Sequence, residues 1–333
     1  MSGDCQIGGR DAAPFGILVE LGKMTPRNGS GSAPKETLIA ARGLWFRKLT
    51  VQPQQGCFAG SLGLVLFKNR RRRKLRARPL PGGWRAILRA RMPMYARLSA
   101  PDRAELAGHI QVFIAEKYFE GCGGLRITDE MRVLIAAQAC VLLLHRETDY
   151  FPGLRSVLVY PGPFQGAARA TGPAGMVTES LGWHYGESWH TPGSGGPVVL
   201  SWPDVVAGAA DTGDGRNVVL HEFAHQLDAE SGWVEGMPGL DERAAAEWKR
   251  VMAAEFHTHV RAVWSGMPTV IGAYGAQSPA EFFAVATEAF FKRGAEMRAV
   301  NPAVYGLLAA YYRQDPAALA GRCTTGAACC GAA

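Results

Sequence analysis

The chain has 333 residues, of which 47% are apolar and 20% charged, with a formal net charge of +7 and seven cysteines. Its mean hydropathy is close to zero, at −0.03, which excludes a fibrous repeat, a membrane-helix bundle and a largely disordered chain. The length suffices for one large domain or two lobes with a sizeable core.

Eight positive charges crowd between Lys68 and Arg78 (Lys68, Arg70, Arg71, Arg72, Arg73, Lys74, Arg76 and Arg78) with no acid among them, and without them the rest of the chain carries −1. A nucleic-acid-binding fold spreads its basic residues over a docking face and carries a reading element. Neither is legible, so specific nucleic-acid binding is not expected and the basic run reads as a solvated or surface-adhering segment. The cysteines are odd in number, scattered and without a C-x-x-C pair, unlike a disulfide framework or a zinc ribbon. No charged, apolar and cleavage-site succession opens the chain, and the expected compartment is the reducing cytoplasm.

In chain order, residues 1–78 are rich in Gly, Ser, Pro and Arg and show no sustained period, so they read as a flexible extension ending in the basic run. Within it, residues 57–67 are apolar over about 11 positions, short of the roughly 20 a spanning helix needs. Followed at once by basic residues, residues 57–78 have the composition for weak adhesion to an anionic membrane surface. Order is expected from Pro79. Ser99-Ala100-Pro101-Asp102 starts a helix whose Leu106, Ile110, Phe113, Ile114 and Tyr118 share a face. A second, nearly all-apolar helix starts at Thr128 and runs to Leu144. Val157–Tyr160 and Val198–Trp202 read as short strands, and helices follow at 217–229, 241–256, 279–292 and 302–313. Residues 321–333 read as a frayed tail. Many helices with few strands predict an α+β fold with a small sheet rather than a βαβ repeat, with the domain at 79–320.

The chemistry is concentrated in His221-Glu222-Phe223-Ala224-His225-Gln226-Leu227-Asp228. Two histidines four residues apart on a helix project one above the other and can share a cation. Zinc suits neutral imidazole, and a catalytic zinc keeps three protein ligands and an open position for water. Glu222 lies about 100° round the helix, beside that open position, as a general base must. The third ligand is open among Asp228, Glu281, Glu288 and the remaining histidines. Asp228 lies about 10 Å along the axis from His221, which fits helix-end packing or support of a ligand better. Glu281 follows Ser278 and Pro279 in a capping box that would hold its carboxylate rigidly, and spacing favours it over Glu288, two turns on. Asp211-Thr212-Gly213 occurs once and sits where cap and turn residues belong. His257 and His259 read as a helix C-cap, and Gly193-Ser194-Gly195-Gly196 as a turn. The strand Val198–Ser201 is a candidate edge for an extended peptide.

The helix motif resembles the Mlc titration factor A family of zinc-dependent peptidases. So do Ala273-Tyr274-Gly275-Ala276-Gln277-Ser278-Pro279-Ala280-Glu281-Phe282-Phe283, Gly196-Pro197 through Trp202, and Leu181-Gly182-Trp183. The resemblance runs from about Pro79 to Pro316. It implies one zinc on His221, His225 and Glu281, Glu222 as catalytic base, and Tyr274 as an active-site hydroxyl. It further implies a zincin-like fold similar to the catalytic domain of anthrax lethal factor, aminopeptidase-type activity on peptides, and binding of an Mlc-like sugar-regulated repressor in the cytoplasm.

Overall fold

A computed structural model describes residues 58–320 apart from 172–176, 185, 189–195, 211–212, 231 and 233, with the backbone alone for 58–66, 165–171, 177–184, 187–188 and 319–320. They belong to a unit spanning Cys57–Ala333. The extension up to residue 57, the tail from 321, the Asp211-Thr212 pair and most of the 193–196 turn lie outside the described residues.

The sheet is small and mostly parallel. Strands β1 (Tyr118–Gly121), β2 (Ser156–Tyr160) and β6 (Val198–Ser201) run parallel side by side, and β5 (Gly186–Ser188) pairs antiparallel with the outer side of β6. A separate antiparallel ribbon joins β3 (Phe164–Thr171) to β4 (Val177–His184). Val157 and Val159 alternate inward from β2, while all four residues of β6 are buried, as an interior strand requires. One expectation is therefore corrected. β6 is flanked by β2 and β5 and offers no free edge; β5 is the edge strand beside it. The parallel strands β1 and β2 are linked through helix α5 (Asp129–Val141), a single βαβ unit and not a repeat. Periodicity missed β1, which has four residues and only Phe119 buried.

Twelve helices and a short 3-10 turn account for most of the described residues, and the whole is helix-rich α+β. Helix starts follow the expected caps. Ser99 opens α4 (Ala100–Glu116) by accepting from the Asp102 amide at 3.2 Å, and Thr128 opens α5 by accepting from Met131 at 3.3 Å. Helix α7 (Val218–Ala229) packs on α5 and on strands β5 and β6, and α9 (Pro279–Lys292) packs on α7. Phe113 of α4, Phe151 and Phe223 of α7 form one aromatic cluster, with ring centroids 4.8–6.2 Å apart. This welds the underside of α7 into the core, each such pair adding roughly 0.5–1.5 kcal/mol beyond area burial. Helix α8 (Glu242–Trp264) is longer than expected, so His257 and His259 are not a C-cap. His259 is buried and directed at the carbonyl oxygen of Gly272, 3.2 Å away.

The start of order at Pro79 is also corrected. Helix α1 (Phe58–Arg76) carries most of the basic run, and one arginine of the eight is a core residue. Arg72 is 7% exposed and forks onto Glu116 through two bonds of 2.9 and 2.7 Å. It also donates to Asp149 at 2.5 Å and stacks on Tyr150. The turn it grips is strained, with positive φ at His145, Tyr150 and Phe151, and Lys117 donates to the Phe151 and Leu154 carbonyls from below. A charge run cannot reveal which member turns inward, because that depends on two acids 44 and 77 residues away.

Replacing Arg72 with Ala strands the nearly buried Glu116 and frees the strained turn. The expected cost is about 2–3 kcal/mol, or roughly 5–10 °C in Tm for a domain of this size. Arg71→Ala, which removes a single 3.3 Å bond to the Ala115 carbonyl, should shift calorimetric melting of the full chain by less than a third of that.

Candidate metal centre

Helix α7 is apolar all round except along one face. Val219, Leu220, Phe223, Ala224 and Leu227 are buried, leaving His221 and His225 to project toward α9. The helix start is fixed by Asn217, whose Oδ1 accepts from Leu220 at 3.0 Å while its amide donates to Gln138 Oε1 and the Gly208 carbonyl. At the other end Asp228, fully buried, accepts from the backbone of Gly236 and Met237 at 2.7 Å each. It secures the exit of the helix, the helix-end role expected of it, and is not in the cluster with the two histidines.

Across from α7, Ser278 accepts from the Glu281 amide and Pro279 opens α9. The two glutamates of α9, two turns apart, meet the two nitrogens of one imidazole. Glu281 Oε2 lies 3.0 Å from His221 Nε2, and Glu288 Oε1 lies 2.8 Å from His221 Nδ1. His225 Nε2 is 3.5 Å from Glu281 Oε2 and 3.3 Å from His221 Nε2. The structure thus brings together His221, His225 and Glu281, and assigns Glu288 to the far side of His221, with its other oxygen 2.5 Å from the Asn217 amide it accepts from.

This triangle fits a small tetrahedral cation. Zinc bonds of 2.0–2.1 Å place ligand atoms about 3.3–3.4 Å apart, and the three observed separations are 3.0, 3.3 and 3.5 Å. Glu281 Oε2 is buried, and no hydrogen bond of acceptable geometry reaches it although both imidazoles face it. An orphaned buried carboxylate oxygen at the centre of such a set is explained by a cation it would share.

The charges follow the same geometry. Burial works against a charge on His221, but the carboxylates of Glu281 and Glu288 hold it well above the ordinary imidazole range. Burial likewise opposes ionisation of Glu281, and the two imidazoles outweigh it, bringing the carboxyl down to about 2. Glu222 behaves oppositely: it is 5% exposed, and burial pushes it up to about 7 against the pull of His221 and His225. Two carboxyls on one site are thereby driven apart, one a permanent anion and one able to exchange a proton near neutrality.

Tyr274 stands on the 3-10 turn Ala273–Ala276, half-exposed, with its ring 5.8 Å from that of His221. Burial and the Glu281 and Glu222 carboxylates push its phenol up to about 12, so it stays protonated. The segment leading to it is held by His259 through the Gly272 carbonyl.

Three features escaped the sequence reading: the Gln138–Asn217–Glu288 chain behind His221, the anchor at His259, and Gly186 on β5. A Cβ on Gly186 would sit 2.6 Å from Glu222 Oε1 and 2.4 Å from Val218 Cγ2, so the strand passes against the carboxylate only because the residue is glycine. No local pattern signals this, since the contact spans 36 residues and two elements.

A proton on His221 must leave when a cation binds, so zinc affinity should strengthen as pH rises, by about tenfold per unit for each proton displaced. In chelator competition with the apo-protein, Glu288→Gln should weaken zinc about 10–100-fold, because its amide turns an NH2 toward either His221 or the Asn217 amide. Affinity flat with pH would contradict a proton-holding His221. Gly186→Ala should lower kcat roughly 10–100-fold with zinc content unchanged, since the base is displaced by a large part of an ångström.

The family model described as glucose-regulated metallo-peptidase M90 matches residues 66–313. The uncharacterized protein slr2042 of Synechocystis is 41% identical over 248 residues, covering 74% of this chain and 89% of that one. Mlc titration factor A of Yersinia pestis, like that of Yersinia pseudotuberculosis, is 30% identical over 236 residues, covering 68% of this chain and 83% of its own. With the metal-ligand cluster inside the matched span, the chain belongs to the M90 metallopeptidase family.

Proposed function

We propose that the chain is a zinc-dependent peptidase of aminopeptidase type, with zinc held by His221, His225 and Glu281, Glu222 as the base and Tyr274 as a hydrogen-bond donor. The observation that carries this reading is the triangle of ligand atoms at tetrahedral-zinc spacing beside the buried carboxyl of Glu222. Zinc, when bound, supplies Lewis acidity and brings the pKa of a coordinated water from 15.7 toward about 7. Glu222, walled in by Gly186 on one side and the imidazoles on the other, accepts the proton of the attacking water and returns it to the leaving amine. Tyr274 keeps its proton and donates a hydrogen bond to the oxygen of the scissile carbonyl as charge builds there. Glu288 holds the ring of His221 so that Nε2 faces Glu281. The outer edge of β5, beside Glu222, would align an extended peptide by backbone hydrogen bonds. The similarity to the anthrax lethal factor catalytic domain and the aminopeptidase preference rest on the family resemblance.

A second role is supported by the relatives named Mlc titration factor A: binding of an Mlc-like repressor, with a link to sugar uptake. A protein that only sequestered a repressor would need no general base, and an intact Glu222 beside the candidate ligands favours catalysis, with or without that second role. The scattered cysteines, without a disulfide framework, support a cytoplasmic site of action.

Glu222→Gln should reduce hydrolysis of amino-acyl and short-peptide substrates by at least about 1,000-fold with zinc retained, and Tyr274→Phe by about 10–1,000-fold with KM little changed. Blocking the substrate's free amino terminus should abolish cleavage if the enzyme is an aminopeptidase. Hydrolysis by Glu222→Gln at the native rate would overturn the enzymatic reading.

A further inference from the structure

We propose that helix α1 docks the protein on an anionic lipid bilayer, independently of the metal centre. Arg72 marks the inward side of the helix, bonded to Glu116 and Asp149. At 100° per residue, Phe67, Arg70 and Lys74 fall within about 40° of the opposite side, with Arg71 and Arg73 at its margins. Phe67 is 72% exposed. It shares a shallow outward groove with Arg70, Arg71, Lys74, Leu75 and Arg78. Lys68 is neutralised by Asp149, but the side chains of Arg70, Arg73, Lys74, Arg76 and Arg78 have no ion-pair or hydrogen-bond partner among the described residues. A folded domain that spends one arginine on its core and leaves Arg70, Lys74 and Arg78 around a bare aromatic ring, with Arg73 exposed beside them, presents a surface for an extended anion.

One observation favours a bilayer over a nucleic acid. The same helix begins with the run Phe58-Ala59-Gly60-Ser61-Leu62-Gly63-Leu64-Val65-Leu66, without a charge, and a phosphodiester backbone gives such a run nothing to contact. Among the described residues no helix is long and apolar enough to cross a membrane. An apolar half-helix continuous with a basic half suits shallow insertion with the cations at headgroup depth.

The test is co-sedimentation of the full chain with vesicles of phosphatidylcholine, alone or with about one-third phosphatidylglycerol. Each exposed cation near such a surface contributes about fivefold in partitioning, a contribution that is screened by salt. Binding is expected to the anionic vesicles alone and to fall at least tenfold from low to physiological salt. Replacing Arg70, Arg71, Arg73 and Lys74 together with Gln should lose binding by more than 100-fold, and Phe67→Ser by roughly fivefold. Both variants keep Arg72, and their Tm should stay within about 3 °C of the parent, the shift allowed for the lost Arg71 bond to the Ala115 carbonyl. Equal binding by the glutamine variant, absence of binding to anionic vesicles, or duplex DNA bound more tightly than vesicles with no effect of Phe67→Ser would each overturn the proposal.

Discussion

The imidazole of His221, gripped at both nitrogens by carboxylates of one neighbouring helix, is the contact on which the site depends. Glu281 and Glu288 stand two turns apart on α9, and α7 must lie against it at one register for a single ring to span them. That register is set away from the site. Asn217 ties the start of α7 to Gln138 of α5 and, through its backbone, to Glu288 itself, while Phe223 anchors the opposite side of the helix among Phe113 and Phe151. A buried, multiply charged cluster is costly unless every member is paired. The two carboxylates stabilise the imidazole, and the imidazoles stabilise Glu281, so the arrangement stands as a set or not at all.

The same set explains how two glutamates within one cleft acquire different tasks. Glu281 faces both imidazoles and is held ionised, as a permanent metal ligand must be. Glu222, one position after His221, turns toward β5, where burial dominates and keeps its proton affinity near neutrality. The glycine at 186 makes that environment possible by letting the strand close over the carboxylate. Sheet edge, helix face and the Glu222 carboxyl therefore form one unit.

Much of the site was legible in the sequence because its chemistry is local. His221, Glu222 and His225 lie within one helical turn, and the capping box from Ser278 to Glu281 fixes where the third carboxylate begins. The helix starts at Ser99, Thr128, Asn217 and Ser278 were legible for the same reason. What was not legible depends on contacts across the fold. The choice between Glu281 and Glu288 turns on which His221 nitrogen each one faces. The inward turn of Arg72 depends on Glu116 and Asp149, and β1 was too short to show a period. The interior position of β6 follows from pairing with β5, a strand of three residues with no signature of its own.

X-ray absorption at the zinc edge on the full-length protein tests the central claim most directly. The account predicts a shell of nitrogen and oxygen only, about four atoms at 2.0–2.1 Å with outer-shell scattering from two imidazoles, and loss of one light-atom ligand in Glu281→Ala. Sulfur in that shell, a single imidazole, or an unchanged spectrum in Glu281→Ala would contradict it.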